Sequence, residues 1–165
     1  MLHREISRSM PEREVAQTTQ GHSDAAGYPK GFQKKRSARW RVLLVDDNPS
    51  LRALYKGQLI EEGYEVEALE SGEKTIERLE RGPAPDALVL DIKLGGMDGI
   101  EVMRRVLAQR PKIPILLHSA YADFKDDFSA WCADDYVLKS PDRHALGRSL
   151  ERMLRRRQLG EKKAP

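Results

Sequence analysis

Residues 86–91 have the sequence Asp-Ala-Leu-Val-Leu-Asp, in which four apolar residues are followed directly by an acid. This run, rich in Leu and Val, predicts a strand at the centre of a sheet that is covered on both faces. Residues 92–99 contain Gly95, Gly96 and Gly99, and this segment is too rich in glycine to extend the strand. Asp91 is therefore expected at the carboxyl end of the central strand, exposed at the lip of a loop, where open α/β sheets place their chemistry.

Outward from this strand, the chain alternates between short apolar runs and amphipathic stretches. A strict alternation of strand and helix requires crossovers that return to the same edge, which gives a parallel sheet. The sequence therefore predicts an α/β fold with a doubly wound, five-stranded parallel sheet in three layers. The predicted strands, each followed by a predicted helix, occupy residues 41–47, 64–68, 86–91, 115–119 and 135–139.

Local signals predict where several helices begin and which side they bury. Asn48 and Pro49 are expected as the N-cap and the first residue of the first helix. A weaker helix is predicted at residues 122–133, and Ser-Pro-Asp at residues 140–142 is expected to cap the last helix. The apolar stripe of the first helix is predicted to consist of Leu51, Leu54, Tyr55 and Leu59.

Composition and charge indicate one domain with two basic ends. The 165 residues, 39% of them hydrophobic, suffice for one ordinary core. Residues 1–39 show no apolar period and predict a disordered, polar and basic extension. Residues 40–156 are the predicted domain and residues 157–165 a basic tail, so the net charge of +3 combines basic ends with an acidic body. The cluster Lys-Lys-Arg at residues 34–36 is interpreted as a solvated linker end, with nucleic acid, a membrane or an acidic partner as alternatives.

Other features argue against export and membrane insertion. No apolar run approaches the roughly 18 residues that span a bilayer. The amino terminus lacks the apolar centre of a signal peptide, so a cytoplasmic location is expected. Cys132 is the single cysteine, which excludes an internal disulfide, and it is expected to pack within a helix.

Polar side chains end four of the predicted strands. Asp46 and Asp47 end the first strand, Asp91 the third, Ser119 the fourth and Lys139 the fifth. Because parallel strands carry their carboxyl ends on one edge of the sheet, these side chains are expected to converge. Clustered carboxylates repel one another and favour a hard divalent cation such as Mg²⁺. With a lysine and a hydroxyl beside it, such a site suits a phosphoryl group, which one carboxylate is placed to attack.

The order and spacing of these residues resemble the receiver domain of two-component response regulators, the CheY-like family. The resemblance covers residues 41–155 and implies the flavodoxin-like (βα)5 fold. Together its segments are specific, although each alone is weak. They are Val-Asp-Asp at 45–47, Asp-x-x-Leu-x-x-Met-Asp-Gly at 91–99, His-Ser-Ala at 118–120 and Tyr-Val-Leu-Lys at 136–139.

The resemblance also implies a role for each residue of the cluster. Asp91 is the implied phosphoacceptor, and Lys139 is the implied partner of the phosphoryl group. Asp47, Asp91 and the backbone carbonyl of Lys93 are implied as direct ligands of Mg²⁺, with Asp46 acting through a water molecule.

A switch and a signalling surface are implied as well. Ser119 and Tyr136 match the switch pair of the family, in which the hydroxyl moves to the phosphoryl group and the ring turns inward behind it. Phosphorylation then shifts the population of an existing conformer. The face that changes is the fourth helix, fifth strand and fifth helix of such domains, here residues 122–157. The implied partners are a histidine kinase or histidine phosphotransfer protein and a downstream protein, and a phosphorylation-linked dimer is compatible with this face.

The chain departs from the family pattern in three places. Gly95 and Gly96 replace a segment that commonly contains proline, which predicts a more mobile loop. The common Lys-Pro pair is Lys-Ser-Pro at residues 139–141, so the geometry of the Lys139–Ser140 bond is left open. Lys93 and Tyr121 occupy positions that in the family tune acyl-phosphate lifetime, and the resemblance therefore implies that the bulky tyrosine shields phosphorus from water. This favours the hypothesis of a long-lived phospho-Asp91.

Three functions are weighed on this basis. The favoured one is a stand-alone response regulator that is not an enzyme beyond its own phosphoryl transfer and slow autodephosphorylation, since the flanking residues are too few and aperiodic for an output module. The alternative is a phosphorylation-independent interaction module whose basic ends contact nucleic acid or membrane, but such a module has no need for the intact cluster. A phosphatase-type hydrolase needs a second acid where this chain has Lys93.

Overall fold

The computed structural model describes residues 40–120 and 132–160, which form a sheet with helices on both faces. The predictions for residues 1–39, Tyr121, most of the helix at 122–133, and residues 161–165 lie outside the described residues. The strands are β1 (Arg41–Val45), β2 (Glu65–Leu69), β3 (Ala87–Leu90), β4 (Ile115–Ser119) and β5 (Asp135–Leu138). The described helices are α1 (Pro49–Glu61), α2 (Gly72–Arg81), α3 (Gly99–Gln109) and α4 (Ala145–Gln158).

The sheet has the strand order β2-β1-β3-β4-β5, and every neighbouring pair is parallel. The strand β3 lies at the centre with all its residues buried, as its uninterrupted apolar run predicts. The strand β2 lies at one edge and exposes Glu65 and Glu67, which agrees with its alternating pattern. The doubly wound, five-stranded parallel fold in three layers is thereby confirmed.

Within the described residues, the core consists of two apolar clusters, one on each face of the sheet. Successive residues of a strand point to opposite faces, so neighbours along β1, β3 and β4 belong to different clusters. On one face, α2 and α3 pack against the strands through residues that include Leu79, Met103 and Val106. On the other face, α1 and α4 pack through residues that include Tyr55, Leu59, Leu150 and Met153.

Two helix starts follow local side-chain chemistry. The Asn48 side chain accepts hydrogen bonds from the backbone N–H groups of Ser50 and Leu51 at 3.0 and 3.1 Å, which confirms the predicted N-cap of α1. The helix α4 begins at Ala145, later than its predicted cap at residues 140–142. Asp142 instead accepts a hydrogen bond from the His144 N–H at 3.0 Å and stabilises the turn before the helix.

Two predicted burials are wrong. Leu54 is 50% exposed, because α1 faces the sheet through Tyr55 and Leu59 and Leu54 lies to the side of that line. Cys132 is exposed, whereas its neighbour Ala133 is the residue that packs into the core.

Two backbone features bear on the segments around the site. A Cβ at Gly99 would lie 2.1 Å from the carbonyl oxygen of Asp91, so α3 begins directly against the backbone that carries this acid. The described residues contain no cis peptide bond, so the Lys139–Ser140 bond is trans. None of the helices in the described part is long and apolar enough to cross a bilayer.

Candidate functional site

The acidic strand ends meet at one edge of the sheet. Val45 and Leu90 pair in register, so Asp46 and Asp91 continue side by side beyond β1 and β3. Carboxylate oxygens of Asp46, Asp47 and Asp91 all lie within 4.8 Å of one another. Asp46 is 1% exposed and Asp91 6% exposed, whereas Asp47 is open to solvent. The exposed position expected for Asp91 is wrong, because the ammonium of Lys139 lies against its carboxylate. The structure therefore brings together the three acids that the sequence singled out.

Lys139 bridges the two buried acids. Its ammonium donates to Oδ2 of Asp46 at 2.8 Å and to Oδ2 of Asp91 at 2.6 Å. Burial alone lowers the pKa of Lys139, but hydrogen bonds and attraction from both carboxylates outweigh burial and leave the pKa raised. Lys139 therefore stays charged at neutral pH. The sequence did not indicate this double ion pair, because it depends on how far the side chain reaches from β5 past β4 to β3 and β1.

Burial disfavours the charged form of the Asp91 carboxylate. Burial raises the pKa of Asp91, and the hydrogen bond and attraction from Lys139 offset only part of this effect. Its Oδ1 also accepts the backbone N–H of Lys93 at 3.2 Å. A desolvated carboxylate beside other acids is stabilised by any group that neutralises it, whether a cation or an electrophile.

The loop that carries Asp46 and Asp47 is held at several points. Oδ1 of Asp46 accepts the backbone N–H of Asn48 at 2.9 Å. The guanidinium of Arg52 donates to the backbone carbonyls of Asp46 at 2.6 Å and Asp47 at 3.2 Å. Arg52 was not among the predicted site residues, and a basic residue on the first helix gives no sign in sequence of the carbonyls it meets.

The glycine-containing loop after Asp91 is attached on both sides. The Gly95 N–H donates to Oδ2 of Asp47 at 3.1 Å, and the Met97 N–H donates to Oε1 of Glu73 at 3.0 Å. Gly96 has φ of +97°, a value that favours glycine. The greater mobility expected for this loop stays a prediction, as does the role of the Lys93 carbonyl.

The two candidate switch residues lie on neighbouring strands. Ser119 is fully buried at the end of β4, and Tyr136 on β5 is half-buried against the α2–α3 side of the core. Leu117 is the register partner of Tyr136, and alternate residues of a strand share a face. Ser119 and Tyr136 therefore lie on the same face of the sheet, and the movement expected of them stays a prediction.

A buried aromatic pair lies on the opposite face of the same edge. His118 is 3% exposed, and its ring meets the ring of Tyr55 edge-on with 4.5 Å between centroids. Burial, with a smaller contribution from the charge of Lys139, lowers the pKa of His118 to about 3. Burial also raises the pKa of Tyr55, so both rings are neutral at pH 7. The sequence placed His118 in a strand but gave no sign of this pair.

The donor set fits Mg²⁺. Three carboxylates against one ammonium leave the cluster negatively charged, and all its ligand atoms are oxygens, which hard cations prefer. Asp47 is open to solvent on one side, where water molecules can complete the coordination that Mg²⁺ demands. Asp46, Asp47 and Asp91 are therefore the side chains suited to hold such an ion.

A parallel α/β sheet whose strand ends join an acidic cluster, a lysine and a buried hydroxyl defines the receiver class of signalling domains. Residues 42–151 match the family described as the response regulator receiver domain. The chain therefore belongs to the response regulator receiver family of two-component systems, and the family resemblance drawn from the sequence is confirmed.

Similar proteins include bacterial transcriptional regulatory proteins. TrcR of Mycobacterium tuberculosis is 39% identical over 118 residues, which cover 70% of this chain and 46% of TrcR. AfsQ1 of Streptomyces coelicolor is 35% identical over 117 residues, which cover 70% of this chain and 51% of AfsQ1. The chain thus spans about half the length of these relatives.

Similar solved structures are receiver domains. The response regulator TrrA of Thermotoga maritima, in complex with Mg²⁺–BeF, is 36% identical with a TM-score of 0.66, covering 69% of this chain and 98% of TrrA. TrrA has also been solved in complex with the histidine kinase ThkA, and there the TM-score is 0.65 over 70% of this chain and 98% of TrrA. A CheY-like receiver domain of Methanospirillum hungatei is 25% identical with a TM-score of 0.69, covering 74% of this chain and 99% of that domain.

Removal of the bridging ammonium should destabilise the domain strongly. We expect Lys139→Met to lower the free energy of unfolding by about 3–5 kcal/mol at pH 7.5, because two buried carboxylates lose their counter-charge. The loss should shrink as pH falls, because burial raises the pKa of Asp91 and a protonated Asp91 no longer needs a counter-charge. Arg155→Met removes an exposed ion pair with Glu151 and should cost less than about 1 kcal/mol. Urea unfolding of both variants tests this, and equal losses would contradict the bridge.

Replacement of His118 should reduce the acid sensitivity of the domain. The unfolded chain protonates this residue near pH 6.5 and the folded domain only near pH 3, so falling pH favours unfolding across that window. Below pH 6.5, the free energy of unfolding therefore falls by up to about 1.4 kcal/mol per pH unit because of His118. We expect the difference in unfolding free energy between wild type and His118→Leu to shift in favour of the variant from pH 7 to pH 4. A constant difference over this range would refute the depressed pKa.

Proposed function

We propose that Asp91 accepts a phosphoryl group from a histidine kinase or a histidine phosphotransfer protein while the acidic cluster holds Mg²⁺. The observation that carries this proposal is the buried Asp91 carboxylate, placed between two further acids and a fixed ammonium. The complexes of TrrA with Mg²⁺–BeF and with the kinase ThkA support both the ion and the donor, since TrrA is 36% identical to this chain.

The proposed step is a direct phosphoryl transfer between side chains. An oxygen of the Asp91 carboxylate attacks phosphorus, and the new P–O bond forms as the P–N bond to the donor imidazole breaks. The electron pair of that bond leaves with the imidazole. Asp47, Asp91 and the Lys93 carbonyl would hold Mg²⁺, with Asp46 acting through water, and the bound ion would supply positive charge to the phosphoryl oxygens.

Lys139 and Ser119 act on the phosphorylated side chain. Conversion of Asp91 into an acyl phosphate moves the negative charge from the carboxylate to the phosphoryl oxygens. The ammonium of Lys139, already held within hydrogen-bonding distance of Asp91 by Asp46, follows that charge. The hydroxyl of Ser119 donates a hydrogen bond to another phosphoryl oxygen, and the ring of Tyr136 packs behind Ser119.

The proposed output is altered binding of a protein partner through residues 122–157. In the described part of this face, Arg152 pairs with Asp135 at 3.3 Å and Arg157 with Asp134 at 3.5 Å. These acids and arginines give the described part of the face a mixed charge, which suits a protein of complementary charge. Leu138 is 41% exposed on the same face and offers an apolar contact.

Several finer features belong to the same proposal. A cytoplasmic location, the absence of any enzyme activity beyond the domain's own phosphoryl chemistry, and a phosphorylation-linked dimer stay predictions. The stand-alone organisation expected from the sequence also stays a prediction, because the relatives are transcriptional regulatory proteins about twice as long as the matched segment.

Phosphorylation with acetyl phosphate tests the proposal. Wild type incubated with acetyl phosphate and Mg²⁺ should shift on a phosphate-affinity gel, and the shift should disappear for Asp91→Asn or when EDTA removes the metal. Asp98→Asn is a matched control, because Asp98 caps α3 and asparagine caps equally well, so this variant should shift like wild type. An unshifted, folded wild type, or an Asp91→Asn variant that shifts fully, would refute the proposal.

A further inference from the structure

Asp47 differs from the other two acids in how it is held. It is the exposed member of the cluster, so neither close packing nor the Lys139 ammonium fixes its side chain. Its Oδ2 accepts the Gly95 N–H at 3.1 Å, and its Oδ1 or Oδ2 still lies within 4.8 Å of oxygens of Asp46 and Asp91. The hydrogen bond from the loop therefore coincides with an orientation that points the carboxylate into the cluster.

The loop that supplies this N–H is itself anchored to α2. Glu73 lies in the first turn of that helix and accepts the Met97 N–H at 3.0 Å. Hydrogen bonds from its own backbone N–H and from Met97 lower the pKa of Glu73, so the side chain is an ionised acceptor at neutral pH. Gly96, between the two donors, has φ of +97°, and a Cβ there would lie only 3.0 Å from Oε1 of Glu73. Gly96 therefore suits both the backbone turn and the close approach of the Glu73 side chain.

We propose that Glu73 is a positioning residue for the Asp47 ligand and acts through the backbone of residues 95–97. Glu73 holds the loop at Met97, and the loop holds Asp47 at Gly95, so the carboxylate is oriented before the ion arrives. A ligand that is already oriented loses less conformational freedom on binding, which strengthens the binding of Mg²⁺. This inference rests on the proposed function, in which Asp47 binds the ion.

Two substitutions at residue 95 separate the N–H group from the loop as a whole. Gly95→Pro removes the donor, and we expect the dissociation constant for Mg²⁺ to rise roughly threefold to tenfold, the effect of one lost hydrogen bond. Gly95→Ala keeps the donor, and its Cβ makes only an ordinary contact, 3.7 Å from Oδ2 of Asp47. Its affinity should stay within about twofold of wild type. Chemical shifts of backbone amides during a Mg²⁺ titration give these constants without reference to phosphorylation.

Two substitutions at residue 73 separate hydrogen bonding from charge. Glu73→Ala removes the acceptor, whereas Glu73→Gln removes the charge but keeps an amide oxygen that can accept the Met97 N–H. We expect Glu73→Ala to weaken Mg²⁺ binding and Glu73→Gln to restore most of the wild-type affinity. Hydrogen exchange gives an independent readout in metal-free protein, because the Gly95 amide should exchange several-fold faster in Glu73→Ala than in wild type.

The outcomes distinguish this inference from the function on which it rests. A wild-type domain that binds no Mg²⁺ overturns the proposed function and the inference together. A wild type that binds Mg²⁺, with equal weakening in Glu73→Ala and Glu73→Gln, overturns the inference alone, because charge then explains the effect. Unchanged exchange of the Gly95 amide in Glu73→Ala also overturns it, as does unchanged or tighter Mg²⁺ binding in a folded Gly95→Pro variant. If Gly95→Pro does not fold, the two Glu73 variants decide.

Discussion

The bridge from Lys139 to two buried carboxylates is the interaction on which the rest of the site depends. Strand pairing places Asp46 and Asp91 side by side, and their burial keeps water from screening the repulsion between them. The ammonium compensates that repulsion from β5, so the two ion pairs link three strands of the sheet. Asp47 leaves a surplus of negative charge at the open side, and this surplus favours the binding of a cation on which the proposed phosphoryl transfer depends.

The same bridge connects the site to a surface. Lys139 directly follows β5, an edge strand that carries the half-buried Tyr136 and the exposed Leu138. Under the proposed function, phosphorylation of Asp91 changes the group that the Lys139 ammonium binds. The attraction of the phosphoryl group then acts on the residue directly after β5. An edge strand is paired on one side only, so it is the part of the sheet that yields most easily to such a change.

The fold and the site differ in how much the sequence reveals. The positions of the strands follow from local apolar runs. The convergence of the acids follows from the rule that parallel strands carry their carboxyl ends on one edge of the sheet. Both were therefore predictable. Leu54 and Cys132 were placed wrongly because burial near an element's boundary depends on which residue faces the sheet, and a periodic pattern resolves that poorly. Contacts set by side-chain reach or by backbone donors were also missed, and they involve Arg52, Tyr55, Glu73, Gly95 and His118.

A crystal structure of this domain with Mg²⁺ and beryllofluoride would show directly whether Asp91 is the phosphoacceptor, because beryllofluoride imitates a phosphoryl group on a carboxylate. We expect beryllium bonded to an Asp91 oxygen, with the Lys139 ammonium in contact with a fluorine and Mg²⁺ bound by Asp47 and Asp91. Beryllofluoride bound elsewhere, or a site in which Lys139 still bridges Asp46 and an unmodified Asp91, would contradict it.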